Sequence, residues 1–320
     1  QPTPTDVLTI SNLEATTRAG LTIKGRGVVK GLSDAGAMLP PEESVEPSGA
    51  PSPTLVSMTT VEDKVTSSTL ASDMTLQIPQ GKAKDLYELA PDQNRAFQKT
   101  LTWLKKNVLE GSFTNLVAHY NGSPSDFPDC GDACGVTVTA NIPAGGRVTY
   151  LNNVAEAKTT KPGTFTLVGE TIHVQIPEAT TSAQQGKNVA VDIGYVFSPK
   201  IDTTIDVRTQ LTGPLDDVVR EVGKIKRPLP LTADGTHTTN LHVHLPLKRG
   251  VPTEVEHAEL KVSSTLANVT LSRFDELKNT VFTAPTATFG ISGSLALFDG
   301  RGELNGEALT LAWQDDWKHA

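Results

Sequence analysis

The chain predicts a mainly β fold: an antiparallel sheet made of consecutive hairpins, with two short helices. Three observations carry this. Apolar and polar residues alternate with a period of two along most of the chain, as in strands with one dry and one wet side. In GTFTLVGETIHVQIPE (163–178), Phe165 and Leu167 alternate with Thr164 and Thr166, while Ile172, Val174 and Ile176 alternate with Thr171, His173 and Gln175. Small polar pairs interrupt the alternation, as hairpin turns require: Gly169-Glu170, Asp299-Gly300, Asn305-Gly306 and the Ala233–Gly235 stretch. Only two segments place their apolar residues at helical spacing.

In chain order, residues 7–31 read as strands. Residues 33–54 are rich in Pro, Ser and Glu with few large apolar groups, which predicts a loop or disordered insert. Strand patterning returns at Leu55–Met58 and Met74–Ile78. The first helix is predicted over 92–109: Asp92 caps it after Pro91, Phe97, Leu101, Leu104 and Val108 form one face, and Gly111 stops it. The second is predicted over 214–224, with Pro214 in the first turn and Asp216 and Asp217 near the positive end of its dipole. The rest alternates as strand, including 136–140, 147–150, 189–196, 204–209, 241–247, 259–263, 288–297 and 307–313. In ATFGISGSLAL, the spacing puts Phe289, Ile291, Leu295 and Leu297 on one face. Two units are expected: an N-terminal β unit over 1–80 carrying the 33–54 insert, and a larger β unit over 81–320.

Composition excludes some functions. The chain has 28 basic against 36 acidic residues with no dense block of either sign, so it lacks the clustered basic face a nucleic acid needs. Aromatics are 5%, too few for a stacking platform. No apolar run approaches the roughly 18–20 residues of a spanning helix. The chain begins at Gln1 and is read as processed or cut from a longer protein, with any membrane anchor outside it.

The chemistry-bearing motifs are sparse. Cys130 and Cys134 are separated by three residues, one more than a C-x-x-C redox motif has, and two thiols are too few for structural zinc. In an oxidising compartment they could close a small disulfide loop; free thiols are the alternative. The G-R-G motifs at 25–27 and 300–302 do not fit the dinucleotide spacing and read as hairpin turns. His242 and His244 share the polar side of a strand, where solvated histidines are expected before a metal site. Asp216 and Asp217 suit a helix start without acid–base chemistry. The sequons at Asn121 and Asn268 are read as incidental. No nucleophile elbow, zincin motif or P-loop is present, so neither an enzyme nor a cofactor is expected.

The apolar faces then have two readings. They could close on each other as a sandwich or barrel core, or line an open, curved sheet whose inner side is only partly filled and holds hydrocarbon chains.

The middle of the chain resembles the bacterial AsmA-like superfamily, in the branch of YhdP/TamB-type envelope lipid-transfer proteins. The pattern is a helix ending Trp103-Leu104, then Gly111, a strand, Gly122 and Phe127-Pro128. It continues through VTVTAN (136–141), VTY (148–150), FTLVG (165–169) and LTGPLDDVV (211–219), to the closing SLALFDGRGELNGEALTLAW. The resemblance covers roughly residues 80–313. It implies an elongated, curved antiparallel sheet forming an open apolar groove. It also implies a periplasmic location with an inner-membrane anchor outside this segment, phospholipid or other lipid as ligand, other envelope proteins as partners and no catalytic residues. The hydrocarbon-contacting residues expected on that basis are Phe165, Leu167, Ile172, Val174, Ile176, Leu241, Val243, Leu245, Phe289, Ile291, Leu295 and Leu297. The helix around Phe97 and Leu101 is expected to plug or cap part of the sheet.

Overall fold

The computed structural model describes residues 7–17, 20–30, 71–86, 102, 104–123, 135–149, 156–181, 183–196, 201–225, 231–248, 258–274 and 277–316. Among them the fold is mainly β: one large, curved, open antiparallel sheet with three short helical pieces. The strands are β1 (Val7–Thr16), β2 (Thr22–Lys30), β3 (Ala71–Lys82), β4 (Val108–Glu110), β5 (Ser112–Gly122), β6 (Val136–Ile142), β7 (Arg147–Val148), β8 (Ala157–Thr159) and β9 (Gly163–Val168). They continue as β10 (Thr171–Thr180), β11 (Gln185–Gly194), β12 (Thr203–Pro214), β13 (Thr232–Leu247), β14 (Glu259–Phe274), β15 (Leu277–Ser292), β16 (Leu295–Leu304) and β17 (Glu307–Asp316). The helices are α1 (Ala83–Leu86) and α2 (Leu215–Ile225), with one further helical turn over 104–107.

The main ladder is a meander. It runs β1, β2, β3, β5, β6, β9, and then β10 to β17 in order, each strand antiparallel to the next. β4, β7 and β8 form a short branch that joins the ladder where β8 pairs with the end of β10. The unit boundary expected near residue 80 falls inside β3, which pairs with β2 on one side and β5 on the other, so the sheet runs through it.

Three strands carry the same irregularity. Asn115 in β5, Asn188 in β11 and Asn268 in β14 have φ of 52°, 51° and 52°. At each, two residues face one on the partner strand: Asn115 and Leu116 against β6, Asn188 and Val189 against β12, Asn268 and Val269 against β13. Asn is among the few side chains that tolerate a left-handed backbone, and a bulge bends its strand and increases its twist. The bulges are therefore local sources of the sheet's curvature.

The turns agree with expectation in part. Gly169-Glu170 and Asn305-Gly306 are turns, whereas Asp299-Gly300 and the Ala233–Gly235 stretch lie within β16 and β13. The G-R-G stretches are also mid-strand, in β2 and β16. Their glycines make room: a Cβ on Gly302 would sit 1.9 Å from the Thr283 carbonyl oxygen, and one on Gly25 would sit 2.7 Å from Leu76. The second predicted helix is α2. Of the first, residues 104–107 are helical, but Val108 and Leu109, assigned to its end, begin β4, which pairs with β7. Asp92, Phe97 and Leu101 lie outside the described residues, as do the 33–54 insert, the strand at 55–58, and Cys130 and Cys134.

Candidate functional site: the inner face of the sheet

Register carries a residue's face from strand to strand, because directly paired residues point the same way. One row runs Val138, Leu167, Ile172, Ile193, Ile205, Leu245. The next runs Ala140, Phe165, Val174, Val191, Val207, Val243, Leu260. A third, on the later strands, runs Leu241, Val262, Ile291, Ala296, and a fourth ends Phe289, Phe298, Trp313. These rows define one continuous apolar inner face.

Ten of the twelve residues expected to contact hydrocarbon lie on it: Phe165, Leu167, Ile172, Val174, Ile176, Leu241, Val243, Leu245, Phe289 and Ile291. Leu295 and Leu297 do not, and this corrects the expectation. Gly293-Ser294 is a two-residue turn, so Ser292 pairs with Leu295 and Gly290 with Leu297. Counting by twos across such a turn inverts the face. Leu297 is accordingly outward and 46% exposed, while its neighbours Ala296 and Phe298 point inward.

The inner face is in two states. Over β9 to β13, Leu167, Ile172, Ile193, Val196 and Ile205 are buried at the floor, while Phe165, Val174, Val191, Val207 and Leu245 pack around them partly buried. At the other end, Leu215 and Val219 of α2 press onto Ala233, Leu266, Val269, Leu271 and Phe282. Phe282 is fully buried and meets Phe298 edge to face, with centroids 6.4 Å apart. A third cluster gathers Leu21, Ile78, Phe113 and Leu116, with Leu86 of α1 against it.

The outer face is polar and laced with ion pairs. His173 meets Asp192 at 2.7 Å, and Asp192 faces Arg208 at 3.6 Å. His242 and His244 both turn to Asp206, at 3.0 and 3.1 Å. Partial burial pushes the Asp206 carboxyl up, but the hydrogen bonds and charge of the two histidines outweigh it and hold the group below the usual carboxylate range. His119 pairs with Asp73 in the same way at 2.9 Å. Among the described residues, no three metal-ligating side chains converge. Of the acidic pair at the start of α2, Asp216 is exposed and Asp217 is buried against Arg220.

Sequence reasoning missed two features of this face. The asparagine bulges each deliver the following aliphatic residue inward, with Leu116 at 8% and Val269 at 1% exposure. Each is an Asn followed by Leu or Val inside a strand, a pattern that Asn240-Leu241 in β13 shares while pairing without a bulge. The second is a polar strip of His237, Thr239 and Ser264 within the inner face.

Comparison with known protein families, with curated proteins and with solved structures finds no match to this chain.

Proposed function

We propose that the chain binds lipid and guides its acyl chains along the inner face. In this reading it is the periplasmic segment of an intermembrane lipid-transfer protein of AsmA-like type, anchored in the inner membrane through a part of the parent chain outside this segment and working with other envelope proteins. The supporting observation is the stretch of inner face over β9 to β13, where two aligned rows of Val, Ile, Leu and Phe continue from strand to strand and half of their side chains keep solvent access. Such a surface gains about 0.8 kcal/mol for each CH₂ that it takes from water. A linear arrangement of rows suits a chain-shaped ligand better than a compact one.

The test is to purify the chain without detergent, extract it with organic solvent and identify the lipid by mass spectrometry. Stoichiometric phospholipid, lost in a Val174→Asp, Val243→Asp double variant that keeps its circular dichroism, is the expected result. A folded, lipid-free wild-type chain overturns the reading. A second reading, a scaffold with a dry core that acts through protein partners, draws on the α2 end, where Phe282 has no solvent access.

A further inference from the structure

Where the apolar rows approach α2, the inner face changes character. His237 and Thr239 on β13 and Ser264 on β14 are 4%, 8% and 7% exposed. Thr239 directly faces Ser264, and Leu241 lies two residues further along the same side of β13. Gln184 reaches in from the β10–β11 turn across Gly213, where a Cβ would lie 2.7 Å from its Oε1. Its Nε2 donates to the Pro214 carbonyl at 3.1 Å, which leaves Oε1 as the atom 2.5 Å from His237 Nε2.

This fixes the direction of the whole relay. Gln184 Oε1 can only accept, so His237 Nε2 carries the proton and donates. His237 Nδ1 is then an acceptor and takes the Thr239 hydroxyl proton across 2.7 Å. Thr239 Oγ1 in turn accepts from Ser264 Oγ at 2.7 Å. Every proton is used, and Ser264 ends the relay with lone pairs and no proton to offer. Burial holds the His237 imidazole below its usual range, which keeps it in the neutral form that sets this direction.

A second acceptor sits on α2, the helix packed on β13 and β12. Asp217 is 4% exposed; its Oδ1 engages Arg220, and its Oδ2 is buried with no hydrogen-bond partner among the described residues. A buried carboxylate oxygen without a donor is costly and points to a group that supplies one.

We propose that the seam between α2 and strands β13 and β14 is a headgroup subsite for an amphiphile bearing an ammonium or hydroxyl donor, with its chains on the adjoining apolar rows. This rests on the lipid-binding reading and adds the ligand's polar chemistry to it. The subsite presents acceptors, Ser264 Oγ and Asp217 Oδ2. It therefore selects a primary ammonium, which has N–H donors, over a quaternary one, which has none.

The full chain is incubated with vesicles of equimolar dioleoyl phosphatidylethanolamine and dioleoyl phosphatidylcholine, re-isolated, and its bound lipids are counted by mass spectrometry. The two lipids share their chains and differ in N–H donors. The expected preference for phosphatidylethanolamine is about tenfold, which one charge-assisted hydrogen bond supports. Ser264→Ala lowers that ratio, and Ser264→Ala with Asp217→Asn brings it close to one, through loss of bound phosphatidylethanolamine. Equal binding of both lipids by the wild-type chain, or a preference that survives undiminished in Ser264→Ala with Asp217→Asn, overturns the subsite and leaves the groove standing. Binding of neither lipid removes the groove and the subsite together.

Discussion

Two stretches of one inner face, written in the same alternation, end in different states. Over β9 to β13 the aliphatic rows are floored by buried residues and otherwise partly buried, with solvent access along their length. Beneath α2 the inner face is covered, with Leu266, Val269, Leu271 and Phe282 buried, while Phe289 and Phe298 at its margin are partly buried. The difference does not lie in the strands. It lies in an eleven-residue amphipathic helix that follows β12 and lays Leu215 and Val219 over the closed end. Period-two patterning says which side of a strand is apolar. What covers that side is decided elsewhere in the chain.

That contrast can be broken or sharpened by substitution. The largest effect is expected at the closed end. Phe282→Ala removes a fully buried ring with an edge-to-face partner and should cost about 3–5 kcal/mol, read from urea denaturation. A Phe165→Ala change in the partly buried stretch should cost less, because less apolar area leaves water in the folded state. Equal costs would mean that the two stretches are packed alike.

Next come the bulges that serve both stretches. Asn188→Ala and Asn268→Ala place a less tolerant residue at φ near +50°, and each should lose about 1 kcal/mol, whereas the glycine versions should hold or gain stability. A glycine variant as unstable as the alanine one would show that the Asn side chain, not its backbone conformation, is what matters.

A smaller effect is expected from pH, and only near the α2 end. Burial lowers the His237 pKa in the folded chain, so its contribution to stability is complete above the ordinary value of about 6.5 and is lost as pH falls through the lowered folded value. The thermal midpoint should fall between pH 7 and pH 5, and His237→Gln should flatten part of that fall. An unchanged slope in the variant would assign it to other groups. The smallest effect is expected at Leu297: its Asp variant should keep both stability and bound lipid, since the side chain points outward and is 46% exposed.

Much of the fold was legible in the sequence, because strands report their faces residue by residue. Phe165, Leu167, Ile172, Val174 and Ile176 were placed correctly around a Gly-Glu turn that was also read correctly. Leu295 and Leu297 were misplaced because a two-residue turn makes residues three apart share a face, so even spacing gives the wrong parity across it. Asp299-Gly300 was misread because glycine serves two ends. It permits a turn, and it also clears space in a strand, here for Ala287 and the Phe298 ring, which a Cβ would meet at 3.1 and 3.2 Å. The polar strip was hidden because Thr239 and Ser264 look like ordinary strand residues until register sets them opposite each other and Gln184 arrives from a turn more than fifty residues earlier.

The order of the strands has a mechanical consequence. Along most of the ladder each strand is bonded to its nearest neighbours in sequence, so a pull on the two edges should peel the sheet one strand at a time. Each ten-residue strand should release about 35 Å of chain. The branch interrupts this. β4, β7 and β8 tie residue 108 to the strand that ends at residue 180, outside the sequential order. Tearing should therefore start at β1 or β17 and halt at the branch, with β5 to β10 the last part of the sheet to yield under load.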